Sequence, residues 1–284
     1  MNRSERIRSR VAKFYGEIIT GSTGVGVSNL NPGKLREYRT DDLAGAPDAM
    51  LESSFGCGNP IAFAGVGPGE TVLDLGCGAG LDLLLAAERV GAAGRVIGVD
   101  MAEAMLARAG ANIAQAGLTN VELRMGIIES LPVESNSVDW VISNCVINLS
   151  PEKDQVFAEI ARVLKPGGAM LVSDIVTHDM PWWGKRGTYL YSACVAGTLS
   201  ESDYVAGLRR AGLVEAKVRE RLLYDPVQMA GLIEQVLPRA ITNLRCCGKP
   251  AVRMLTARLS TRVVKHIWSA KLFARKPAHG AACG

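Results

Sequence analysis

The sequence predicts a doubly wound α/β fold, a Rossmann-like and mostly parallel sheet with helices on both faces. Three observations predict it. Short apolar runs alternate with amphipathic stretches of helical length from Thr71 to Asp174. The first of these runs, Thr71–Leu75, ends in a glycine-rich turn that opens a helix. A later run ends in Asp100, 24 residues after Gly76. Strands spaced by helices of that length pair in parallel and are covered on both faces.

The elements follow in order. Ile7, Val11, Phe14, Ile18 and Ile19 recur near helical spacing and predict an amphipathic helix over residues 3–20, broken by the glycines from Gly21 to Gly26. Residues 27–58 are loop-rich, with a short helix near 47–52, and Asn59-Pro60 reads as an N-cap followed by proline at the first helical position. The strand Thr71–Leu75 leads to a helix over Leu81–Val90, a strand over Arg95–Asp100 and a helix over Ala102–Ala116. Strands are predicted at Val121–Met125 and Val138–Ser143. Ser150-Pro151 is expected to cap a helix running to Leu164, Lys165-Pro166-Gly167-Gly168 to stop it, and Ala169–Asp174 to form the next strand. Beyond it, residues 185–196, 201–211 and much of 225–260 read as helical, with strands at Val214–Leu223 and Arg262–Ala274. The reading gives a seven-stranded sheet over residues 66–180 and its extension. An N-terminal thiol-bearing segment (1–65) precedes it, a C-terminal helical and hairpin addition (181–276) follows, and the tail (277–284) is expected to be mobile.

Composition narrows the function. Apolar residues make up 48% and charged residues 21% of 284, as in an ordinary globular protein with its own core. A formal charge of +4, with no cluster of Lys and Arg interleaved with aromatics, argues against a nucleic-acid partner. The apolar runs are far shorter than a membrane span, and residues 1–10 are too polar for a secretory signal. Seven cysteines without a small disulfide framework point to a reducing compartment, and the expected location is the cytoplasm.

The strongest local signal is Val72-Leu73-Asp74-Leu75-Gly76-Cys77-Gly78-Ala79-Gly80. Glycines in such a turn let a ligand approach the backbone, and Asp100 at the end of the next strand can accept both hydroxyls of a ribose. The unit is therefore expected to bind an adenosine-containing cofactor. The spacing is G-x-G-x-G rather than the dinucleotide G-x-G-x-x-G, and Asp74 would repel a pyrophosphate. S-adenosylmethionine carries no phosphate but has an ammonium and a sulfonium. Together with Gly98 to Met101, Gly126 to Glu129 and Asp139 to Asn144, this stretch resembles the class I methyltransferases over residues 65–175. The resemblance implies that Gly76, Gly78 and Gly80 approach the methionine part and that Asp100 binds the ribose. It also implies that Met101, Ile128 and Glu129 flank the adenine, with Asp74, Gly126 and Asn144 in the same site. Cys77 is expected to be a small apolar filler of the turn.

Three other cysteines have distinctive contexts. Cys57 lies between glycines in Phe55-Gly56-Cys57-Gly58-Asn59-Pro60, just before a helix start. Cys145 follows the fourth strand in Ser143-Asn144-Cys145-Val146-Ile147-Asn148, and Cys194 lies in Tyr191-Ser192-Ala193-Cys194-Val195 after the fifth. These contexts resemble the arsenite methyltransferase family closely, from Phe14-Tyr15-Gly16 through at least Tyr204. The resemblance implies that Cys57, Cys145 and Cys194 bind trivalent arsenic and that arsenite and methylated arsenicals are its substrates. It implies successive methylations, a thiol reductant such as thioredoxin or glutathione as co-substrate, and Cys57 as a residue that enters a disulfide during the cycle. Phe55 stands where family members often carry Tyr beside the cofactor. The chemistry is consistent with this, because soft thiolates suit soft arsenic(III). Three sulfurs leave its lone pair free to attack a methyl in line, and no general base is needed.

Rival readings remain open at this point. A zinc site is disfavoured because the three cysteines are separated by 88 and 49 residues, without the close pairing of structural zinc sites. A methyltransferase for a quinone-like or sterol-like acceptor would not need the thiols. A non-catalytic arsenic-binding protein would not need the glycine turn. Cys246-Cys247 and Cys283 read as exposed thiols, Trp182-Trp183 as packing residues, and His178 as a residue after the fifth strand that can face the cleft.

Overall fold

Val72, Leu73 and Leu75 of strand β1 (Thr71–Leu75) are fully buried on both faces, as a continuous apolar run requires. The computed structural model describes residues 1–21, 38, 43, 46–52, 58–178, 197–224 and 264–278. Their elements are α1 (Arg3–Ile19), α2 (Asp48–Glu52), α3 (Pro60–Phe63), β1, α4 (Leu81–Val90), β2 (Arg95–Asp100), α5 (Glu103–Gln115), β3 (Val121–Met125), β4 (Val138–Asn144), α6 (Lys153–Val163), β5 (Leu164–Thr177), α7 (Glu201–Arg210), β6 (Val214–Leu223) and β7 (Ile267–Arg275). The seven strands form one sheet in the order β3-β2-β1-β4-β5-β7-β6.

Strands β1 to β5 are mutually parallel, and β7 runs antiparallel to both β5 and β6. The chain winds outward from β1 to β2 and β3, then returns to place β4 and β5 on the other side. The switch point thus lies between the carboxyl ends of β1 and β4, where ligands bind in open α/β sheets. One face is packed by Phe157 of α6 and Tyr204 and Leu208 of α7. The other is packed by Leu83, Leu84 and Val90 of α4, with Ile61 and Met50. Helix α1 starts in a capping box, with Asn2 Oδ1 accepting the Glu5 N–H and Glu5 Oε2 accepting the Asn2 N–H, both at 2.8 Å. Its Val11 packs with Cys145, Leu149 and Ile175, and its Ile19 with Ala102 and Met105, so α1 lies across the switch point.

Three sequence expectations are corrected. Helix α6 begins at Lys153, because a 3-10 turn occupies Ile147–Leu149 and the Ser150 hydroxyl donates to Glu129 at 2.7 Å while accepting the Glu152 N–H. Strand β5 begins at Leu164, five residues early: Lys165-Pro166-Gly167-Gly168 ends the helix but forms an irregularity inside the strand, between the Val138–Leu164 and Trp140–Ala169 pairs. Strand β7 begins at Ile267 after a 3-10 turn over Val264–His266. The helices expected at 185–196 and across 225–260, and residues 279–284 of the tail, lie outside the described residues. Among the described residues no helix is long and apolar enough to cross a membrane.

Candidate functional site at the switch point

After β1 the chain turns through Gly76, Gly78 and Gly80 with φ of +68°, +53° and +95°, a region where L side chains are strained. The N–H groups of Gly76 and Cys77 both donate to the Val99 carbonyl, at 2.7 and 3.1 Å, which folds the turn back onto β2. At Gly78 an added Cβ would meet nothing within 4 Å, so the backbone there faces open space. At Gly76 it would fall 2.5 Å from Val146 Cγ1, so this glycine lets the turn touch the loop after β4. Burial, reinforced by Asp74 and Asp100, pushes the free Cys77 thiol well up, and the residue fills the turn without being activated.

Among the described residues four carboxylates line the resulting cleft, and Glu129 among them is paired with Arg8. Asp74 on β1, Asp82 in the first turn of α4 and Asp100 at the end of β2 all reach its wall. Asp100 is held by N–H groups, with Gly78 donating to Oδ2 at 3.0 Å and Ala102 to Oδ1 at 2.9 Å. Asp82 is held by side chains: Tyr38 donates its hydroxyl to Oδ1 at 2.9 Å and Asn144 donates Nδ2 to Oδ2 at 3.1 Å. Burial raises the pKa of these three aspartates, and Asp82 and Asp100 push Asp74 up further. The described basic side chain in the lining, Arg8 of α1, is already paired with Glu129 and Glu152, each at 3.4 Å. The cleft therefore concentrates negative charge that a cationic ligand would compensate.

Cys145 forms part of the same wall, with Val146, Leu149 and Ser150 beside it. Its φ is +60°, uncommon for a non-glycine residue, and its N–H donates to the Ser173 carbonyl at 2.8 Å. Its sulfur is disulfide-bonded, and the partner lies outside the described residues. The loop is fixed at its far end by Asn148, whose N–H and Nδ2 donate to the buried Asp174 carboxylate at 3.2 and 2.7 Å. Burial pushes Asp174 up to about 7. A Cβ at Gly197 would fall 2.0 Å from the Asn148 carbonyl oxygen, so Gly197 lies directly against this loop.

Of the residues singled out in the sequence, Asp74, Gly76, Gly78, Asp100, Met101, Gly126, Ile128, Glu129, Asn144 and Cys145 line the cleft, and Gly80 is the N-cap of α4 behind it. Phe55, Cys57 and Cys194 lie outside the described residues, as do Trp182, Trp183, Cys246, Cys247 and Cys283. The possibility that His178 faces the cleft is corrected: it is exposed, it is absent from the lining, and its backbone pairs with His266. Sequence reading missed Tyr38, Asp82, Arg8 and Tyr15. Asp82 resembled an ordinary acidic residue in a helix first turn, and Tyr38 sits in a segment with no periodicity. Arg8 was read only as part of an amphipathic helix, and Tyr15 only as part of that helix and of the Phe14-Tyr15-Gly16 resemblance, without a place in the site.

The arrangement can cradle an adenosine ligand bearing positive charge, with open backbone at Gly78 and a sulfur-bearing loop beside it. Residues 67–212 match the sequence family described as a methyltransferase domain. The arsenite methyltransferase of Halobacterium salinarum is 47% identical over 182 residues, spanning 64% of this chain and 46% of that protein. The demethylmenaquinone methyltransferase of Listeria monocytogenes is 37% identical over 115 residues, spanning 40% of this chain and 48% of that protein. The crystal structure of an arsenic(III) S-adenosylmethionine methyltransferase from Chlamydomonas reinhardtii superposes with a TM-score of 0.63 at 31% identity, covering 84% of this chain and 73% of that one. The chain spans less than two thirds of the length of the curated arsenite methyltransferases it matches.

Proposed function

Because the chain belongs to the arsenite methyltransferase family, we propose that it transfers methyl groups from S-adenosylmethionine to trivalent arsenic held by the thiolates of Cys57, Cys145 and Cys194. The observation that carries this reading is the placement of Cys145 on the wall of the cleft that holds the Gly76–Gly80 turn and the carboxylates of Asp74, Asp82 and Asp100. The cleft fits the methyl donor: among the described residues the lining cation, Arg8, is already paired with Glu129 and Glu152 rather than with Asp74, Asp82 or Asp100, and Gly78 leaves room for close approach.

When bound, S-adenosylmethionine supplies an electrophilic methyl on a sulfonium. In this reading Asp100 accepts ribose hydroxyls, Met101, Ile128 and Glu129 flank the adenine, and Asp74 and Asp82 compensate positive charge; supporting it, all six line the cleft. The thiolates hold the arsenic as a pyramid whose lone pair points at the methyl. The donor would supply the methyl without its bonding pair, so arsenic held by the three thiolates would give both electrons of the As–C bond and be formally oxidised by two electrons. A thiol reductant returns those two electrons, either one thioredoxin dithiol closing to its disulfide or two glutathione molecules joining as one. The disulfide at Cys145 supports this need, since that sulfur becomes a ligand only after reduction. A cytoplasmic setting supplies such thiols.

The test is product analysis by chromatography with elemental detection after incubating the full chain with arsenite, the methyl donor and a thiol. Methylated arsenicals are expected, and Cys57→Ser, Cys145→Ser and Cys194→Ser should each suppress them with donor affinity kept. Full activity in all three variants overturns the thiol site. Methylation of a quinone that survives those substitutions would instead favour the carbon-acceptor reading.

A further inference from the structure

We propose that Asn144 is a positioning residue of the thiol site, holding the chain at Gly58 against the carboxyl end of β4. The inference rests on the three-thiol reading above and deepens it. Asn144 is the final residue of β4 and directly precedes Cys145. Its Nδ2 lies 2.6 Å from the Gly58 carbonyl oxygen, 3.1 Å from the Tyr38 hydroxyl and 3.1 Å from Asp82 Oδ2. The Gly58 contact is the shortest of the three and joins residues 86 apart in sequence.

The surroundings fix the amide in that orientation. Tyr38 donates to Asp82, so Tyr38 and Asp82 offer oxygen lone pairs on the side where Asn144 presents its two N–H groups. Gly58 is equally anchored: the next residue, Asn59, is fully buried and caps α3 by accepting the Ala62 N–H at 3.0 Å. The bond therefore connects two rigid pieces, the end of a central strand and the start of a helix.

Chain connectivity gives the bond its consequence. Gly58 is covalently joined to Cys57 and Asn144 to Cys145, and consecutive Cα atoms are about 3.8 Å apart. A single side-chain amide thus ties together the two stretches that carry two of the three proposed arsenic ligands. A site that must present three sulfurs to one atom tolerates little looseness. The same geometry revises the place of Asn144 among the cofactor ligands, because its N–H groups are already directed at Gly58, Tyr38 and Asp82.

The experiment compares the full chain, reduced, with Asn144→Ala, Asn144→Asp and Tyr38→Phe. A short bismaleimide reports the proximity of Cys57 and Cys145, with the linked peptides quantified by mass spectrometry, and needs no arsenic. Arsenite KM and kcat, and the affinity for S-adenosylmethionine by calorimetry, complete the set. Loss of the amide donors in Asn144→Ala and Asn144→Asp is expected to slow Cys57–Cys145 linkage and raise arsenite KM by about tenfold, the scale of one lost hydrogen bond. Donor affinity should stay within about twofold and kcat change less than KM. Tyr38→Phe, which keeps the ring and removes the hydroxyl, should move linkage and KM the same way by a smaller factor, and serves if the Asn144 variants do not fold. Unchanged linkage overturns the proposal. So does weakened donor affinity with linkage intact, which makes Asn144 a cofactor ligand, and so does an equal loss of every readout, which makes it a general structural residue. If the parent chain shows no arsenite methylation, the linkage comparison still decides the role of Asn144, and only the function reading falls.

Discussion

The two neighbouring turns that line the cleft are built by opposite means. Gly76–Gly80 follows β1 and opens α4 with bare backbone, three left-handed glycines and an open surface at Gly78. Residues 144–150 run from the last residue of β4 toward α6 and are held by side chains: Asn144 reaches Gly58, Asn148 reaches Asp174, Ser150 reaches Glu129, and Cys145 itself carries the left-handed φ. The first turn is a mould that leaves room for a ligand. The second is a brace that leaves little freedom to the sulfur it holds. They touch where Gly76 meets Val146.

The comparison is most directly broken at the brace's sulfur. Cys145→Ser is expected to lower arsenite methylation by at least about 100-fold, the scale of a lost alignment, while calorimetry finds donor binding unchanged. At the mould, Gly76→Ala combines a left-handed φ with a 2.5 Å approach to Val146 Cγ1. Donor affinity should fall by about tenfold or more, given a cost of roughly 1–3 kcal/mol for forced packing. Adding Val146→Ala should restore the part owed to the clash and leave the part owed to φ, which a double-mutant cycle separates. Replacing Asn148 by Ala removes its side-chain donors to Asp174 and the Ile175 carbonyl. Chemical denaturation should show a loss of about 1–3 kcal/mol with little change in donor affinity.

A fourth prediction concerns pH. The folded pKa of Asp174 is raised by burial from 3.8 to about 7, so from about pH 4 to about pH 7 the folded chain keeps a proton that the unfolded chain has released. Stability from this group should therefore fall as pH rises through that window and level off above it. Asp74, Asp82 and Asp100 are raised too and act in the same sense, but they face the cleft. A cationic donor should offset their share alone, raising the melting temperature more at pH 8 than at pH 6 and releasing protons on binding. Calorimetry in buffers of different ionisation enthalpy reads that release. The smallest effect is expected from Ser150→Ala, about 1 kcal/mol or less, through loss of the hydroxyl that donates to Glu129.

The mould was legible in the sequence and the brace mostly was not. Thr71–Leu75, Leu81–Val90, Arg95–Asp100 and Val121–Met125 were read with the bounds they have, because each ends at a glycine or a charged residue. The parallel sheet and the glycine turn follow from that local grammar. Lys165–Gly168 misled because its residues terminate a helix but give no sign that pairing with β4 has already begun at Leu164. Asn144 and Gly58 lie far apart in the chain, as do Arg8 and Glu129, and nothing in the neighbourhood of either residue announces the other. Such contacts are decided by tertiary placement, which sequence patterns of period 2 or 3.6 do not encode. Cys145 was found through its context, while its left-handed backbone came only with the structure.

Strand β7 sits between β5 and β6 although it comes after both in the chain. On a ribosome, β5 therefore emerges with one row of backbone donors and acceptors unclaimed, and Val172 and Val176 beside it, until residues 267–275 are synthesised and slide in antiparallel. During that interval the nascent chain exposes a sticky flank that other chains can join, so delayed insertion of this one strand is a route to aggregation.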